Sequence, residues 1–248
     1  MSNGRTAKVL YFDLETTDLS ASFGQTLMIG YKWADEDVVH CPTITDYPGW
    51  EFVNPLERDK SLLMDFYDVM SQADVIVGHY ASRFDKPFLN TRNLLVNGIT
   101  FPEVPLIDTW RIARSRLKMH SNRLEALAEF FQLDEKKGGV SKHIWRLSKF
   151  HEPKAIEALR EYCKQDVRTQ EAVTDKLRGL AWNWPNMHLL TESTTRCCPK
   201  CGSQHIHRRG VRTLKSGRYA RYFCTNCGGW SRDRSLEKDL PKDRLIAL

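Results

Sequence analysis

Apolar runs in the first third of the chain predict a β-rich beginning. Residues 8–12 form an apolar, β-favouring run that is typical of a buried strand. Residues 26–33 predict a second strand and residues 38–41 a third, and the short connections between them favour an antiparallel meander. A further apolar run at 74–79 predicts a strand that returns to the same sheet.

Helical spacing of apolar residues predicts helices between and after these strands. The windows 61–73 and 84–96 have apolar positions three or four residues apart, and Ser61 is placed to cap the first of them. Residues 106–107 form a short apolar run, and Asp108 directly after it is placed to cap another helix.

One long helix is predicted over residues 153–180, where Pro153 suits the first turn because no hydrogen-bond donor is needed there. A shorter amphipathic helix is predicted over 123–131, and the pattern between 136 and 150 indicates no definite element. Strands followed by helices and a returning strand predict an α/β fold with a mixed sheet flanked by helices.

The periodicity is lost beyond residue 180, which divides the chain into four predicted segments. Residues 1–180 are predicted to form the main domain and residues 181–195 a linker without regular spacing. Residues 196–230 hold most of the cysteines. Residues 231–248 form a charged tail, for which a short helix, a partner contact and disorder all remain open.

The chain's 248 residues, 41% of them hydrophobic, suffice for one large core and a small satellite domain. No run approaches the roughly 18 apolar residues of a membrane span, and residues 1–5 lack an apolar signal region. We therefore expect a cytosolic or nuclear protein, and of these two we predict a cytoplasmic location.

The positive charge is concentrated at the C-terminal end. Residues 196–248 contain 13 Lys+Arg and 4 Asp+Glu, a net charge of +9, which leaves 24 basic and 27 acidic residues, a net charge of −3, in the rest. Such a field favours a polyanionic partner, above all nucleic acid, although a solvated basic surface is the simpler alternative.

Two Cys-x-x-Cys pairs separated by 22 residues predict a structural zinc site. A glycine follows each pair, as a tight thiolate turn with positive φ requires. The segment is too short for an adequate core, so a metal would hold it together. The module resembles zinc ribbons. The four predicted ligands are Cys198, Cys201, Cys224 and Cys227.

Other ligand choices remain open in the same segment. Cys197 is adjacent to the first pair and is interpreted as a spare thiol, because Cys198 fits the Cys-Pro-x-Cys-Gly pattern better. His205 and His207 are further alternatives.

The sequence between the cysteine pairs is basic and aromatic, and no acidic residue occurs from Arg196 to Arg232. Cations bind phosphates while aromatic rings stack on unpaired bases, so this composition favours single-stranded or end-containing nucleic acid. In the alternative, the aromatic residues, such as Tyr222 and Trp230, pack internally. The predicted nucleic-acid contacts here are Arg208, Arg209, Arg212, Arg218 and Arg221.

Acidic residues in the first strand and the long helix are candidates for chemistry. Asp13 and Glu15 are two residues apart on a predicted strand, so both carboxylates share one face and repel each other unless a cation pairs them. Tyr162 and Asp166 are four apart on a predicted helix and also share a face. Asp85 lies at a strand-to-helix junction, where an ordinary helix cap is the alternative.

Together, in this order, these residues resemble the DEDD superfamily of 3′–5′ exonucleases, which have a ribonuclease H-like fold. The resemblance covers roughly residues 7–180. A tyrosine four residues before the last aspartate marks the DEDDy subgroup, whereas the histidine subgroup would have His at the position of Glu161. The matching motifs are Phe12-Asp13-Leu14-Glu15-Thr16-Thr17, Gly78-His79-Tyr80-x-x-x-Phe84-Asp85-x-Pro87-Phe88-Leu89, and Tyr162-x-x-x-Asp166.

The resemblance implies a two-metal site for Mg²⁺ or Mn²⁺ with Asp13, Glu15, Asp85 and Asp166 as ligands. It also implies that Tyr162 orients the attacking water and that nucleoside 5′-monophosphates are removed one at a time from the 3′ end of the substrate strand.

Beside these ligands, Thr16 and Phe84 would contact the terminal sugar or base, although Phe84 is equally well explained as core. One position departs from the family pattern, because Asn commonly follows Gly-His and this chain has Tyr80.

We expect DNA, single-stranded or at 3′ ends, as the substrate. RNA is the first alternative, because discrimination depends on contacts to the 2′-hydroxyl. The second alternative is a non-catalytic nucleic-acid-binding adaptor, against which the retention of all four acids and Tyr162 argues.

Overall fold

The computed structural model describes residues 6–133, 139–190 and 195–235, which fall into two units. One unit is Lys8–Thr174, and the described residues from Asp175 onward belong to the other. The predicted tail beyond residue 235 and residues 191–194 of the predicted linker lie outside the described residues.

A mixed four-stranded sheet forms the centre of the first unit, in the order β2-β1-β3-β4. Strand β1 pairs antiparallel with β2 and parallel with β3, which in turn pairs parallel with β4. The predicted mixed α/β fold is confirmed, and β1 is an interior strand. The strands are β1 (Val9–Thr16), β2 (Thr26–Trp33), β3 (Val75–Gly78) and β4 (Leu106–Asp108).

The third strand predicted at residues 38–41 is wrong. His40 pairs with Tyr31 and Thr43 with Met28, but only as isolated bridges beside β2. Pro42 lies between these two bridges and has no N–H to donate, so a continuous ladder cannot form there.

Helices flank the sheet, and the six α-helices in the described residues follow the strands in the expected order. They are α1 (Lys60–Ser71), α2 (Asp85–Asn97), α3 (Thr109–Arg116), α4 (Leu124–Phe130), α5 (Lys142–Ser148) and α6 (Pro153–Leu177). Short 3-10 turns occupy Ile44–Asp46, Trp50–Phe52, Pro55–Glu57, Arg178–Leu180 and Met187–Leu190.

The predicted helix ends are correct at some positions and wrong at others. Asp108 caps α3 as predicted, because its side chain accepts a hydrogen bond from the Arg111 N–H at 3.2 Å. Ser61 lies inside α1 and is not its cap. The cap position is Asp59, whose buried carboxylate instead accepts two hydrogen bonds from Arg92, at 2.7 and 2.9 Å.

The long helix α6 packs closely against the sheet at a glycine. A Cβ added to Gly30 of β2 would lie 2.7 Å from Sγ of Cys163 and 3.0 Å from Cγ2 of Val167. Because no side chain larger than hydrogen fits there, Gly30 sets how closely α6 approaches β2.

The second unit contains a three-stranded antiparallel sheet in the order β5-β6-β7. Residues 181–190 pack within this unit, where Ala181, Trp184 and Met187 are buried and the Met187 N–H donates to the Pro199 carbonyl at 2.8 Å. The strands are β5 (Ile206–Leu214), β6 (Gly217–Cys224) and β7 (Trp230–Arg232).

Across the three described ranges, no helix combines the length and the apolar character needed to cross a membrane.

Candidate active site and metal centre

Strand β1 carries the first two candidate carboxylates on one face. Alternation along the strand directs Asp13 and Glu15 to the same side and Leu14 to the other. Glu15 is only 5% exposed, although a carboxylate is costly to bury without a counter-charge. Asp13 is opposite Gly30 in the β1–β2 register, so the neighbouring strand places no side chain beside it.

Helix α6 supplies the third part of the site. Tyr162 and Asp166 are one turn apart on the helix, and Asp166 is 7% exposed. Between them, the buried Cys163 lies against Gly30 and its thiol is 3.9 Å from the carbonyl oxygen of Asp13. This packing brings α6 next to the part of β1 that carries Asp13.

Asp85 begins α2, and Asp108 holds the loop that precedes it. The Asp108 carboxylate accepts hydrogen bonds from the Tyr80 N–H at 3.1 Å and the Ser82 N–H at 3.0 Å. Tyr80 adopts φ of +66°, a left-handed conformation that bulky residues rarely take. The loop that positions Asp85 is therefore held by hydrogen bonds from its backbone to the Asp108 carboxylate.

Burial raises the pKa of Glu15 well above its usual range, and the charges of Asp13, Asp166, Cys41 and Asp85 raise it further. Among the described residues, Asp13 and Glu15 are the two of the four acids whose ligand atoms belong to one close cluster. Burial also raises the pKa of Asp85 to about 7, with Asp108 adding to the effect while backbone hydrogen bonds, including one from Leu14, oppose it. Such a set is unfavourable in its fully charged form without cations.

The donor chemistry of this cluster fits a hard divalent cation. Potential ligand atoms of Asp13, Glu15 and Cys163 all lie within 4.8 Å of one another. The pKa of the Cys163 thiol is raised, mainly by its hydrogen bond with Cys41 and by burial, so the sulfur stays protonated. The donors are then carboxylate oxygens, which Mg²⁺ and Mn²⁺ prefer.

A cavity of about 540 Å³ opens beside Glu15. Thr16 and Phe84, both predicted from the sequence, line this cavity. Trp145 and Lys149, which the sequence pattern does not single out, also line it. Thr16 donates its hydroxyl to the Asp18 carbonyl at 2.8 Å, and the Phe84 ring centre is 5.5 Å from that of Phe88. The cavity has the mixture of aromatic walls and polar groups expected for a nucleotide-sized ligand.

Trp145 and Lys149 come from α5 and its C-terminal end, in the stretch where the sequence pattern indicated no element. A signal was present, because Ser141 caps this helix by accepting from the Ile144 N–H at 3.3 Å. A capping serine followed by Trp145 and Lys149 at i, i+4 spacing predicts a helix with both side chains on one face.

The second unit brings the four predicted zinc ligands together. Their Sγ atoms all lie within 4.8 Å of one another, with Cys198–Cys227 and Cys201–Cys224 separations of 3.7 Å. A tetrahedron with metal–sulfur bonds of about 2.3 Å has edges of about 3.8 Å, so the cluster has the dimensions of a zinc–thiolate site.

The turns of this cluster have the predicted backbone. Gly202 and Gly228 adopt φ of +74° and +68°, as expected for the residue after each pair. Cys197 is not part of the cluster, and its Sγ lies 3.1 Å from Nδ1 of His188.

The structure divides the predicted nucleic-acid arginines between two faces of the β5–β6–β7 sheet. Arg212 is opposite Tyr219, which shares a face with Arg221 two residues further along β6. Arg208 and Arg218 lie on the other face, because their strand positions alternate with these.

The fifth arginine, Arg209, lies in the β-bulge between Arg208 and Val211, where its carbonyl accepts a hydrogen bond from Nε of Arg221 at 3.0 Å.

Comparisons with known proteins agree with the fold of the first unit. A family model described as the RNase_H superfamily matches residues 10–178. A family B DNA polymerase from the hyperthermophilic archaeon Pyrobaculum calidifontis is similar in structure, with a TM-score of 0.52 and 20% sequence identity. The match covers 70% of this chain but only 25% of the polymerase chain. No curated protein sequence gives a significant match.

Proposed function

This chain belongs to the RNase_H superfamily, and we propose that it is a metal-dependent 3′–5′ exonuclease of the DEDDy subgroup. The observation that carries the proposal is the close pairing of Asp13 with the buried Glu15, whose potential ligand atoms lie within 4.8 Å of each other, while the charges of Asp166 and Asp85 also act on Glu15. The placement of Tyr162 one helical turn before Asp166 supports the tyrosine subgroup. The products would be nucleoside 5′-monophosphates.

The four carboxylates would hold two Mg²⁺ or Mn²⁺ ions, which supply charge neutralisation and an activated water when bound. Tyr162 would orient the attacking water by hydrogen bonding.

The cavity beside Glu15 would receive the 3′-terminal nucleotide. Phe84 and Trp145 would flank its base or sugar, and Lys149 would pair with a phosphate. The hydroxyl proton of Thr16 is already donated to the loop, so its oxygen would accept a hydrogen bond from the terminal sugar.

For the remainder of the chain we propose a structural zinc ion held by the four clustered cysteines, in a basic ribbon that helps to bind the substrate. The proposed organisation is a catalytic domain at residues 1–180, a linker at 181–195, the ribbon at 196–230 and the charged tail at 231–248.

A nuclease assay with end-labelled substrates tests the proposal. The purified chain is incubated with Mg²⁺ or Mn²⁺ and with DNA or RNA, single- or double-stranded, labelled at either end. We expect 5′-labelled strands to shorten stepwise and 3′-labelled strands to release labelled mononucleotide at once, and no reaction without the divalent ion. The comparison of DNA with RNA decides the sugar preference.

Two variants connect the activity to the site. Asp13→Asn and Asp166→Asn should each abolish degradation while keeping the melting temperature within a few degrees of the unmodified chain. Asp68→Asn, which changes an exposed acid on α1, is the matched control and should keep full activity. Full activity in either site variant, or internal cuts in place of stepwise shortening, would refute the assignment.

A further inference from the structure

One face of the three-stranded sheet is basic and aromatic at its central positions. In the pairing of β6 with β7, Arg221 is opposite Arg232 and Phe223 is opposite Trp230, so these four side chains share a face. Arg212 of β5 lies on the same face, because it is opposite Tyr219, which is two residues before Arg221 on β6. We call the surface formed by Arg212, Arg221, Phe223, Trp230 and Arg232 the ribbon face.

We infer that the ribbon face is a binding site for a single strand of nucleic acid, with Trp230 as the platform on which an unpaired base stacks. The inference rests on the proposed function for the choice of ligand, but strand binding at this face does not require catalysis.

Trp230 is held in place and remains open to solvent. Its ring centre is 5.0 Å from that of Phe223, and the guanidinium carbon of Arg221 lies 4.5 Å from the indole. The residue is nevertheless 48% exposed. A fixed, half-exposed indole offers a large stacking surface at a small entropic cost.

The cations of the ribbon face are oriented by the same sheet. Nε of Arg221 donates to the carbonyl of Arg209 at 3.0 Å, and the guanidinium carbon of Arg232 lies 4.3 Å from the Tyr219 ring. The Arg221 guanidinium is therefore held beside the indole and the Arg232 guanidinium beside Tyr219 on the same face, at positions suited to the phosphates that flank a stacked base.

Charge complementarity favours a nucleic-acid strand at this face. The chain has no acidic residue from Arg196 to Arg232. The following Asp233 lies 3.2 Å from Arg196 and forms an ion pair with it. An acidic peptide would use the arginines but not the indole, whereas a strand with unpaired bases uses both.

The opposite face of the sheet is partly covered. Ile206, Tyr222 and Ser231 of that face line a cavity of about 330 Å³ together with Asn186 and Pro199, and Arg232 of the ribbon face also lines it. On the ribbon face Arg212, Arg221 and Trp230 are exposed, so a strand can lie across them.

Binding of a fluorescein-labelled oligodeoxythymidylate of about 16 nucleotides tests the inference. The full zinc-loaded chain carries Asp166→Asn so that the probe is not degraded, and affinity is measured by anisotropy over a series of salt concentrations. Trp230→Ala should weaken binding by about 5- to 100-fold, because one stacked base is lost. Trp230→Phe should keep most of the affinity.

A second pair of substitutions tests the phosphate contacts. Because both guanidinium groups also pack on aromatic rings, zinc content and Trp230 fluorescence are used to check that the sheet is intact. Arg221→Gln with Arg232→Gln should lower the magnitude of the logarithmic salt slope by about 1.4, since each phosphate contact in a single strand contributes about 0.7. Lys60→Gln, which removes an exposed cation on α1, is the matched control and should change affinity by less than about twofold.

The outcomes separate this inference from the proposed function. The Trp230→Ala chain and the double-arginine chain are compared with the unmodified chain, each with one zinc ion retained. If affinity and salt slope are unchanged in both, the ribbon face is not the binding site. Tighter binding of a duplex than of the single strand, or a shift in oligomeric state as the main effect of the variants, would also overturn it. Normal binding by an unmodified chain that degrades nothing would refute only the exonuclease.

Discussion

At the scale of the residue, Tyr80 occupies a backbone conformation that suits a smaller side chain. Its φ is +66°, and its ring packs edge-on against Trp110 with centres 5.0 Å apart. The left-handed region costs most residues about 1–2 kcal/mol and asparagine less.

The effect of a substitution at Tyr80 on the free energy of unfolding should therefore depend on how readily the new residue adopts a left-handed backbone conformation. Tyr80→Asn relieves the strain but loses the aromatic pair, so the free energy of unfolding should change by less than about 1 kcal/mol. Tyr80→Val loses the pair and keeps a strained, β-branched residue, and should destabilise the chain by about 2 kcal/mol. Urea denaturation measures both, and equal tolerance of Val and Asn would show that the φ value is unimportant.

The buried acids give the active site a predictable response to pH. Burial raises the pKa of Asp85 to about 7, and burial and neighbouring carboxylates raise that of Glu15. A folded-state pKa above the unfolded value gives stability that is complete below the unfolded value and is lost as pH rises through the folded one. Without bound divalent ions, the chain should therefore lose stability between about pH 4 and pH 7 through Asp85, and also as pH rises above the usual pKa of Glu15 through that residue.

Divalent ions should reverse this loss, because they bind the deprotonated carboxylates. We expect added Mn²⁺ to raise the melting temperature at pH 8 and to have little effect at pH 5. Asp85→Asn should weaken both the pH dependence and the Mn²⁺ effect, as followed by calorimetry on zinc-loaded protein. An equal Mn²⁺ effect at both pH values would contradict the assignment of these acids as ligands.

At the scale of the element, the approach of α6 to β2 positions Tyr162 and Asp166. Gly30→Ala would place a Cβ 2.7 Å from the Cys163 sulfur, and overpacking of this kind costs about 1–3 kcal/mol. Because the helix must shift to relieve the contact, activity should fall more than stability alone explains.

A compensating substitution makes this prediction specific. Gly30→Ala combined with Cys163→Ala should recover part of the lost melting temperature and activity, since the sulfur atom is then absent. Gly139→Ala, where an added Cβ meets nothing within 4 Å, should leave both unchanged. A double variant no better than Gly30→Ala alone would show that the contact with Cys163 is not the cause.

The elements show where sequence patterns suffice and where they fail. The apolar patterns predicted the strand and the helices that carry the acidic residues, which are β1, α2 and α6. Helix α5 was missed because its few apolar residues form no clear stripe, and with it Trp145 and Lys149 were missed as cavity residues. The position of Asp85 depends on hydrogen bonds from its loop to Asp108, a long-range contact that no local pattern reveals.

At the scale of the whole molecule, the two units differ in what stabilises them. The first has an extended core that includes Leu10, Phe12 and Phe66, all with 1% exposure or less. Among the described residues of the second unit, the buried apolar side chains are few: Leu177, Ala181, Trp184, Met187, Tyr219 and the cysteines Cys198 and Cys224. So small a core does not balance the chain entropy of this unit, and the proposed zinc ion would contribute much of its stability.

Loss of zinc should consequently unfold the second sheet and spare the first unit. In Cys201→Ser with Cys224→Ser, we expect no bound zinc by atomic emission and solvent-exposed Trp230 by fluorescence. The main calorimetric transition should remain, because the core around the mixed sheet is independent of the thiolates. Hydrolysis of a dinucleotide should persist, since the carboxylates and the cavity at Trp145 are intact. Affinity for longer strands, in contrast, should fall to that of the Trp230→Ala chain or below.

The control is Cys197→Ser, which changes a cysteine adjacent to the cluster but outside it. This variant should retain one zinc ion and the full affinity. Loss of zinc from Cys197→Ser, or its retention by the double variant, would contradict the proposed ligand set.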